Sequence, residues 1–150
     1  MEILGVDIGG TGIKGAIVDT ETGELITQRI RLLTPQPATP EAVASVLKEL
    51  VVQTGFKGPV ACGFPARITN GTVKTAANID KSWIDVPVEE LFTRELTCDT
   101  KVSVVNDADA AGLAELEFGA ARGVNGKVIF LTLGTGIGSA LFVDGIMFEG

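Results

Sequence analysis

The stretch DIGGTGIKGAIVD, Asp7 to Asp19, sets Gly10, Gly12 and Gly15 in a G-x-G-x-x-G spacing straight after a short apolar run. The residues beyond those glycines decide what the spacing can do. A dinucleotide fingerprint needs a helix whose N-terminus faces the pyrophosphate and which packs back on the preceding strand. Here Ala16, Ile17 and Val18 lead directly into the turn-like run Asp19-Thr20-Glu21-Thr22-Gly23, where a helix would need about ten residues. A Walker A loop is excluded as well, because Ala16 and Ile17 stand where Lys and Ser or Thr are required. What remains is a glycine-rich turn between antiparallel strands, with Asp7 just before it and Thr11 and Lys14 on it. Without Cβ atoms in the way, such a turn can bring backbone N–H groups close to phosphate.

The rest of the chain reads outward from that turn. Strands are expected at 3–8, 12–19 and 24–33, an antiparallel meander that opens the domain. Thr39 followed by Pro40 and Glu41 is a helix start, and Val43, Val46, Leu47, Leu50 and Val51 recur at helical spacing up to Thr54, where Gly55 stops the helix. Val60 to Phe64 is a buried strand, Asn70-Gly71 marks a small hairpin, and Pro87 to Leu96 is a second helix. Val102 to Val105 is β-branched, whereas Ala108, Ala111, Leu113, Ala114 and Leu116 favour helix. The chain closes with a strand, a glycine turn, a strand and the start of a hairpin at Asp144-Gly145. At 150 residues, 45% of them hydrophobic, it is long enough to bury a core as one domain of ordinary size.

Composition narrows the chemistry. With no histidine, neither a Ser-His or Cys-His catalytic pair nor a His-containing zinc site can form. Cys62 and Cys98 are too few and too far apart for a disulfide framework, and both read as reduced, buried thiols. A net charge of -7 argues against binding nucleic acid or an acidic membrane surface over a broad basic face. A local anion site among Lys74, Lys81, Lys101, Arg122 and Lys127 stays open, beside the plainer reading of solvated charges. No apolar run reaches the roughly eighteen residues of a membrane span, and the start Met1-Glu2-Ile3 lacks a secretory signal's basic region, so a cytoplasmic protein is expected.

Near the end, FLTLGTGIGSALFVD repeats the pattern of the first turn: apolar strand, Gly-Thr-Gly, apolar strand. Glycine between strands is commonly only a tight hairpin, but two of one make suggest a pair of cradles, in which the Thr11 and Thr135 hydroxyls join the amides around a phosphate chain. A third feature lies at Asn106-Asp107, where strand gives way to helix. Asp107 or Asp109 can serve as helix N-cap. Beside phosphate loops, Asp107 can instead accept the proton of a hydroxyl that attacks phosphorus. Asp7 is then better placed to hold Mg²⁺ through water than to act as a second base. Lys14 can reach donor phosphates or simply point to solvent. Trp83 reads as a packing residue, while Arg67, Lys74 and Lys81 could steer a polyanionic donor.

Together these motifs resemble the sugar-kinase, Hsp70 and actin superfamily, with its phosphate loops at Asp7 to Lys14 and Leu133 to Gly138. DIGGTGIKGA, GFPARITNGTVKTAANIDKSW, NDADAAGLAE and LTLGTGIGSAL are similar, more narrowly, to the ROK family and within it the polyphosphate glucokinases, over the whole chain. The resemblance implies an α/β, ribonuclease H-like (actin-like ATPase) domain: a mixed five-stranded sheet with an antiparallel meander and flanking helices. It implies phosphoryl transfer from polyphosphate or ATP, with Mg²⁺, to the 6-hydroxyl of glucose or mannose. Asp107 would be the base, and Asn78 and Asn106 would hold sugar hydroxyls. Gly10, Thr11, Gly12, Lys14, Thr135 and Gly136 would hold the donor. It further implies that residues 1–150 are the N-terminal lobe of a two-lobed enzyme, a homodimer when full length. The C-terminal lobe, which carries an E-x-G-H segment and often a cysteine cluster for zinc, is absent from this chain. One lobe alone is expected to bind weakly and turn over poorly, since kinases close two lobes around the acceptor.

Other classes make different demands. A repressor of the same family would need a helix-turn-helix ahead of the first turn, and with that turn so close to Met1 none is expected. A nucleotide-driven, actin-like protein would use both loops without a sugar.

Overall fold

The computed structural model describes residues 1–96, 101–134 and 136–148. Cys98 and Thr135 therefore lie outside the described residues. The chain divides into two compact units, Met1–Asn106 and Asp107–Gly150.

The first unit is built on a mixed sheet of five strands: β1 (Glu2–Ile8), β2 (Gly12–Asp19), β3 (Ile30–Leu33), β4 (Val60–Phe64) and β7 (Val102–Asn106), in the order β3-β2-β1-β4-β7. β1, β2 and β3 form the expected antiparallel meander, while β4 and β7 add parallel to β1. Between them come helix α1 (Pro40–Thr54), the small hairpin of β5 (Ile68–Thr69) and β6 (Thr72–Val73), and helix α2 (Val88–Leu96). The α1 boundaries fall where local chemistry dictates. Thr39 accepts a hydrogen bond from Ala42 N–H at 3.4 Å, Pro40 occupies the first turn, and Gly55 ends the helix with φ 65°, a left-handed conformation that favours glycine.

Alternation along the strands decides which face is covered. Leu4, Val6, Val60, Cys62, Phe64, Val102 and Val104 are buried together with Leu47 and Leu50 of α1 and Val88 and Phe92 of α2. Trp83 closes this core, edge-on to Phe64 at 4.6 Å and to Phe92 at 6.1 Å between ring centroids. Its indole N–H donates to the Ala38 carbonyl at 2.8 Å, so the polar end of a fully buried ring is satisfied. Burial pushes the Cys62 thiol up to about 12, with the Glu89 charge adding to it, which keeps the sulfur protonated and inert.

One expected element is shorter than its sequence suggests. The strand expected over 24–33 pairs continuously only at Ile30–Leu33, preceded by a single bridge between Leu25 and Val18. Ile17 N–H, the donor that would continue the ladder, is taken by the Thr27 hydroxyl at 3.0 Å, so a side chain stands in for the next strand carbonyl.

The second unit pairs helix α3 (Asp107–Phe118) with an antiparallel sheet of β8 (Lys127–Leu133), β9 (Ile137–Val143) and β10 (Ile146–Met147), in the order β10-β9-β8. Phe142 and Ala140 are buried towards α3. The opposite face carries Ile129, Leu131, Leu133, Ile137 and Ile146, all exposed. Among the described residues no helix is long and apolar enough to cross a membrane.

Candidate functional site

The first glycine turn joins β1 to β2 across residues 9–12, between the paired Ile8 and Ile13. All four of its carbonyls are engaged. The Gly9 carbonyl accepts from the Thr34 hydroxyl at 2.6 Å and that of Gly10 from Gln36 Nε2 at 3.3 Å. The Thr11 carbonyl accepts from Thr34 N–H and from Arg31 Nη2, each at 3.4 Å, and that of Gly12 from Gly9 N–H at 3.1 Å. The N–H groups of Gly10 and Thr11 donate to no acceptor among the described residues. Both residues are exposed. The turn thus offers amides, not carbonyls, to its surroundings, as an anion cradle must.

Asp7 and Lys14 face each other across the β1–β2 pair, and Lys14 Nζ lies 3.4 Å from Asp7 Oδ2. Lys14 also stands opposite Arg31 in β3, so one carboxylate and two cations form a row beside the turn. The Lys14 side chain is 39% exposed, so the ammonium that pairs with Asp7 also faces solvent. Among the described residues no cluster of three acidic, cysteine or histidine side chains could cage a metal. A single exposed carboxylate such as Asp7 fits Mg²⁺ held mainly by water and phosphate oxygens, the way this ion is commonly bound with phosphate substrates.

The loop after β4 is fastened at several points. Arg67 N–H donates to the Thr75 hydroxyl at 3.0 Å, and Lys74 pairs with Asp85 at 2.9 Å. Asp80 starts a short 3-10 turn, Lys81–Trp83, which no spacing in the sequence signals; the Ser82 hydroxyl and N–H both donate to the Asp80 carboxylate and hold its pKa below the ordinary value. Asn78 lies between these anchors, exposed. Asn106 ends β7, and its Nδ2 donates to the Ala66 carbonyl at 3.1 Å, which orients the amide at the sheet's edge.

In the second unit, Asp107 is the first residue of α3, exposed, and its Oδ1 accepts from Ala108 N–H at 2.8 Å. The carboxylate satisfies one amide of the helix's first turn and still presents its surface to solvent. The second glycine-rich segment lies between the paired Leu133 and Ile137, with one residue fewer between its flanking pair than the first has between Ile8 and Ile13. Gly134 N–H donates to the Gly136 carbonyl at 3.0 Å, and Gly138 N–H to the Thr132 hydroxyl at 3.1 Å. Close packing sets α3 against β9: a Cβ on Gly138 would stand 3.0 Å from Ala108 Cβ, and one on Gly112 only 2.7 Å from the Phe142 ring. The absence of side chains at these glycines lets α3 lie close against β9. Sequence reasoning missed Arg31, Thr34, Gln36 and Thr132; each acts through a contact that no spacing rule encodes.

A chain that pairs a 3-2-1 meander and two parallel strands with glycine turns of this kind has the actin-like ATPase fold of sugar kinases. The match to the ROK family runs over residues 3–150, and the chain belongs to that family. It is 52% identical over 144 residues to the polyphosphate glucokinase of Mycobacterium tuberculosis, covering 96% of this chain and 54% of that protein. Among solved structures, the inorganic polyphosphate/ATP-glucomannokinase of Arthrobacter sp. strain KM superposes with a TM-score of 0.94 at 47% identity, over 99% of this chain and 61% of that one. A ROK family glucokinase from Streptomyces griseus, in complex with glucose and AMPPNP, gives 0.83 at 32% identity, over 100% of this chain and 47% of that one. The chain therefore spans about half the length of such relatives.

Proposed function

We propose that this chain supplies the donor loops and the base of a phosphotransferase that moves the terminal phosphoryl group of inorganic polyphosphate or ATP to the 6-hydroxyl of glucose. The observation that carries the reading is the first glycine turn, with its carbonyls engaged and the Gly10 and Thr11 N–H groups left for an anion. The names of the relatives support the donors and the sugar. The glucomannokinase, at 47% identity, supports mannose as a second acceptor.

In this reading Gly10, Thr11, Gly12 and Lys14, with Thr135 and Gly136, hold the donor phosphates, while Asn78 and Asn106 hold sugar hydroxyls. Asp107 takes the proton from the 6-hydroxyl as its oxygen bonds to the terminal phosphorus. The bond from that phosphorus to the donor chain breaks, and the shortened polyphosphate, or ADP, leaves with the electron pair. Mg²⁺ near Asp7 would neutralise charge on the donor oxygens. Residues 1–150 act as the N-terminal lobe of a two-lobed, homodimeric, cytoplasmic enzyme, and alone turn over poorly because the acceptor is not enclosed.

The test is sugar 6-phosphate formation by the chain extended to its relatives' length, with polyphosphate and with ATP, for the wild type and Asp107→Asn. Loss of the base should lower kcat about a hundredfold or more. Near-normal turnover in the variant would refute the assignment of Asp107, and no sugar phosphate with either donor would refute the function.

A further inference from the structure

A planar trans peptide unit points its C=O and the adjoining N–H in opposite directions. Engaging the Gly9 carbonyl therefore turns Gly10 N–H the other way, and engaging the Gly10 carbonyl does the same for Thr11 N–H. The Gly9–Gly10 unit most needs such a restraint, because glycines on both sides leave it free to rotate as a whole at little steric cost. It receives the shortest contact in the turn, the 2.6 Å hydrogen bond from the Thr34 hydroxyl. Thr34 is also the one buried polar side chain among the described residues, 8% exposed just beyond β3. A hydroxyl in that setting is expected to have a specific partner, and this one is given to a glycine carbonyl 25 positions away.

We propose that Thr34 is a positioning residue for the phosphoryl donor: its hydroxyl locks the Gly9–Gly10 peptide with the N–H outward and so sets the affinity of the turn for a phosphate chain. This rests on the donor reading above. Gln36, on the neighbouring Gly10 carbonyl at 3.3 Å, plays the same part more weakly for Thr11 N–H. Thr34 touches no donor atom itself. Its effect passes through the direction of one amide.

The experiment measures tripolyphosphate binding to this chain by calorimetry, with the Gly10 and Thr11 amides followed by ¹⁵N NMR, for the wild type, Thr34→Val, Thr34→Ser and Gln36→Ala. Thr34→Val keeps the shape and removes the hydroxyl; it should weaken binding about tenfold, the equivalent of about 1.4 kcal/mol, and diminish the Gly10 amide response. Thr34→Ser restores the donor and should stay within about threefold of wild type, which loss of packing alone would not predict. Gln36 is exposed, so Gln36→Ala tests the clasp even if the valine variant fails to fold; it should weaken binding about threefold and diminish the Thr11 response. Wild-type affinity in Thr34→Val, or in Gln36→Ala when the valine variant is unfolded, overturns the clasp and leaves the donor reading in place. A wild-type chain that binds neither tripolyphosphate nor ATP, with both amides unmoved, overturns the two together.

Discussion

The strand sets β1–β2–β3 and β8–β9–β10 share one plan, three antiparallel strands with a glycine turn between the first two, yet they are supported differently. In the first set, β4 and β7 extend the sheet, α1 and α2 cover one face, and side chains from the β3 side clasp the turn from outside. In the second, α3 covers one face through close contacts at Gly112 and Gly138, and the turn ties up two of its own region's amides, those of Gly134 and Gly138. The same short motif can therefore turn its amides outward, as at Gly10 and Thr11, or engage part of them within its own strands, as at Gly134 and Gly138. The outward turn depends on residues far from the glycines.

The comparison can be strained at three points. The largest effect should come from Trp83→Ala, which empties a fully buried site between Phe64 and Phe92; about 3–5 kcal/mol of stability should be lost in chemical denaturation. A loss under about 1 kcal/mol would mean that the aromatic cluster is not what holds the first unit. Gly112→Ala comes next. Alanine favours helix over glycine by about 1 kcal/mol, but the added methyl would meet the Phe142 ring, and overpacking costs about 1–3 kcal/mol. The expected net is a loss of up to about 2 kcal/mol, read from amide exchange in β8 and β9, and a gain would show that α3 is not pressed onto the sheet. The smallest effect belongs to Leu133→Ser on the uncovered face, where the side chain is 81% exposed; stability should move by no more than about 0.5 kcal/mol.

Much of this architecture is legible in the sequence because its signals are local. Thr39, Pro40 and Gly55 bound α1, and Asn70-Gly71 and Asp144-Gly145 make hairpin turns in which the Asn and Asp take φ of 49° and 50°. The position of β7 and the start of α3 come from a β-branched run giving way to alanines. The features the sequence concealed are long-range or depend on a single hydroxyl. Thr27 interrupts the third strand by offering its side-chain oxygen to Ile17 N–H, and Asp80 builds a 3-10 turn through Ser82. The row of Asp7, Lys14 and Arg31 appears only once the register of three strands is known. The family motifs point to the glycine turns and to Asp107, but not to the side chains that orient them.

The central claim is that the amides of the glycine turns, rather than a basic surface, receive the donor phosphates. The direct measurement is a ¹⁵N-resolved titration of this chain with tripolyphosphate. The account predicts the largest shifts at the Gly10, Thr11 and Gly136 amides. Saturable binding with those amides unmoved, and shifts confined to exposed lysines and arginines elsewhere, would contradict it.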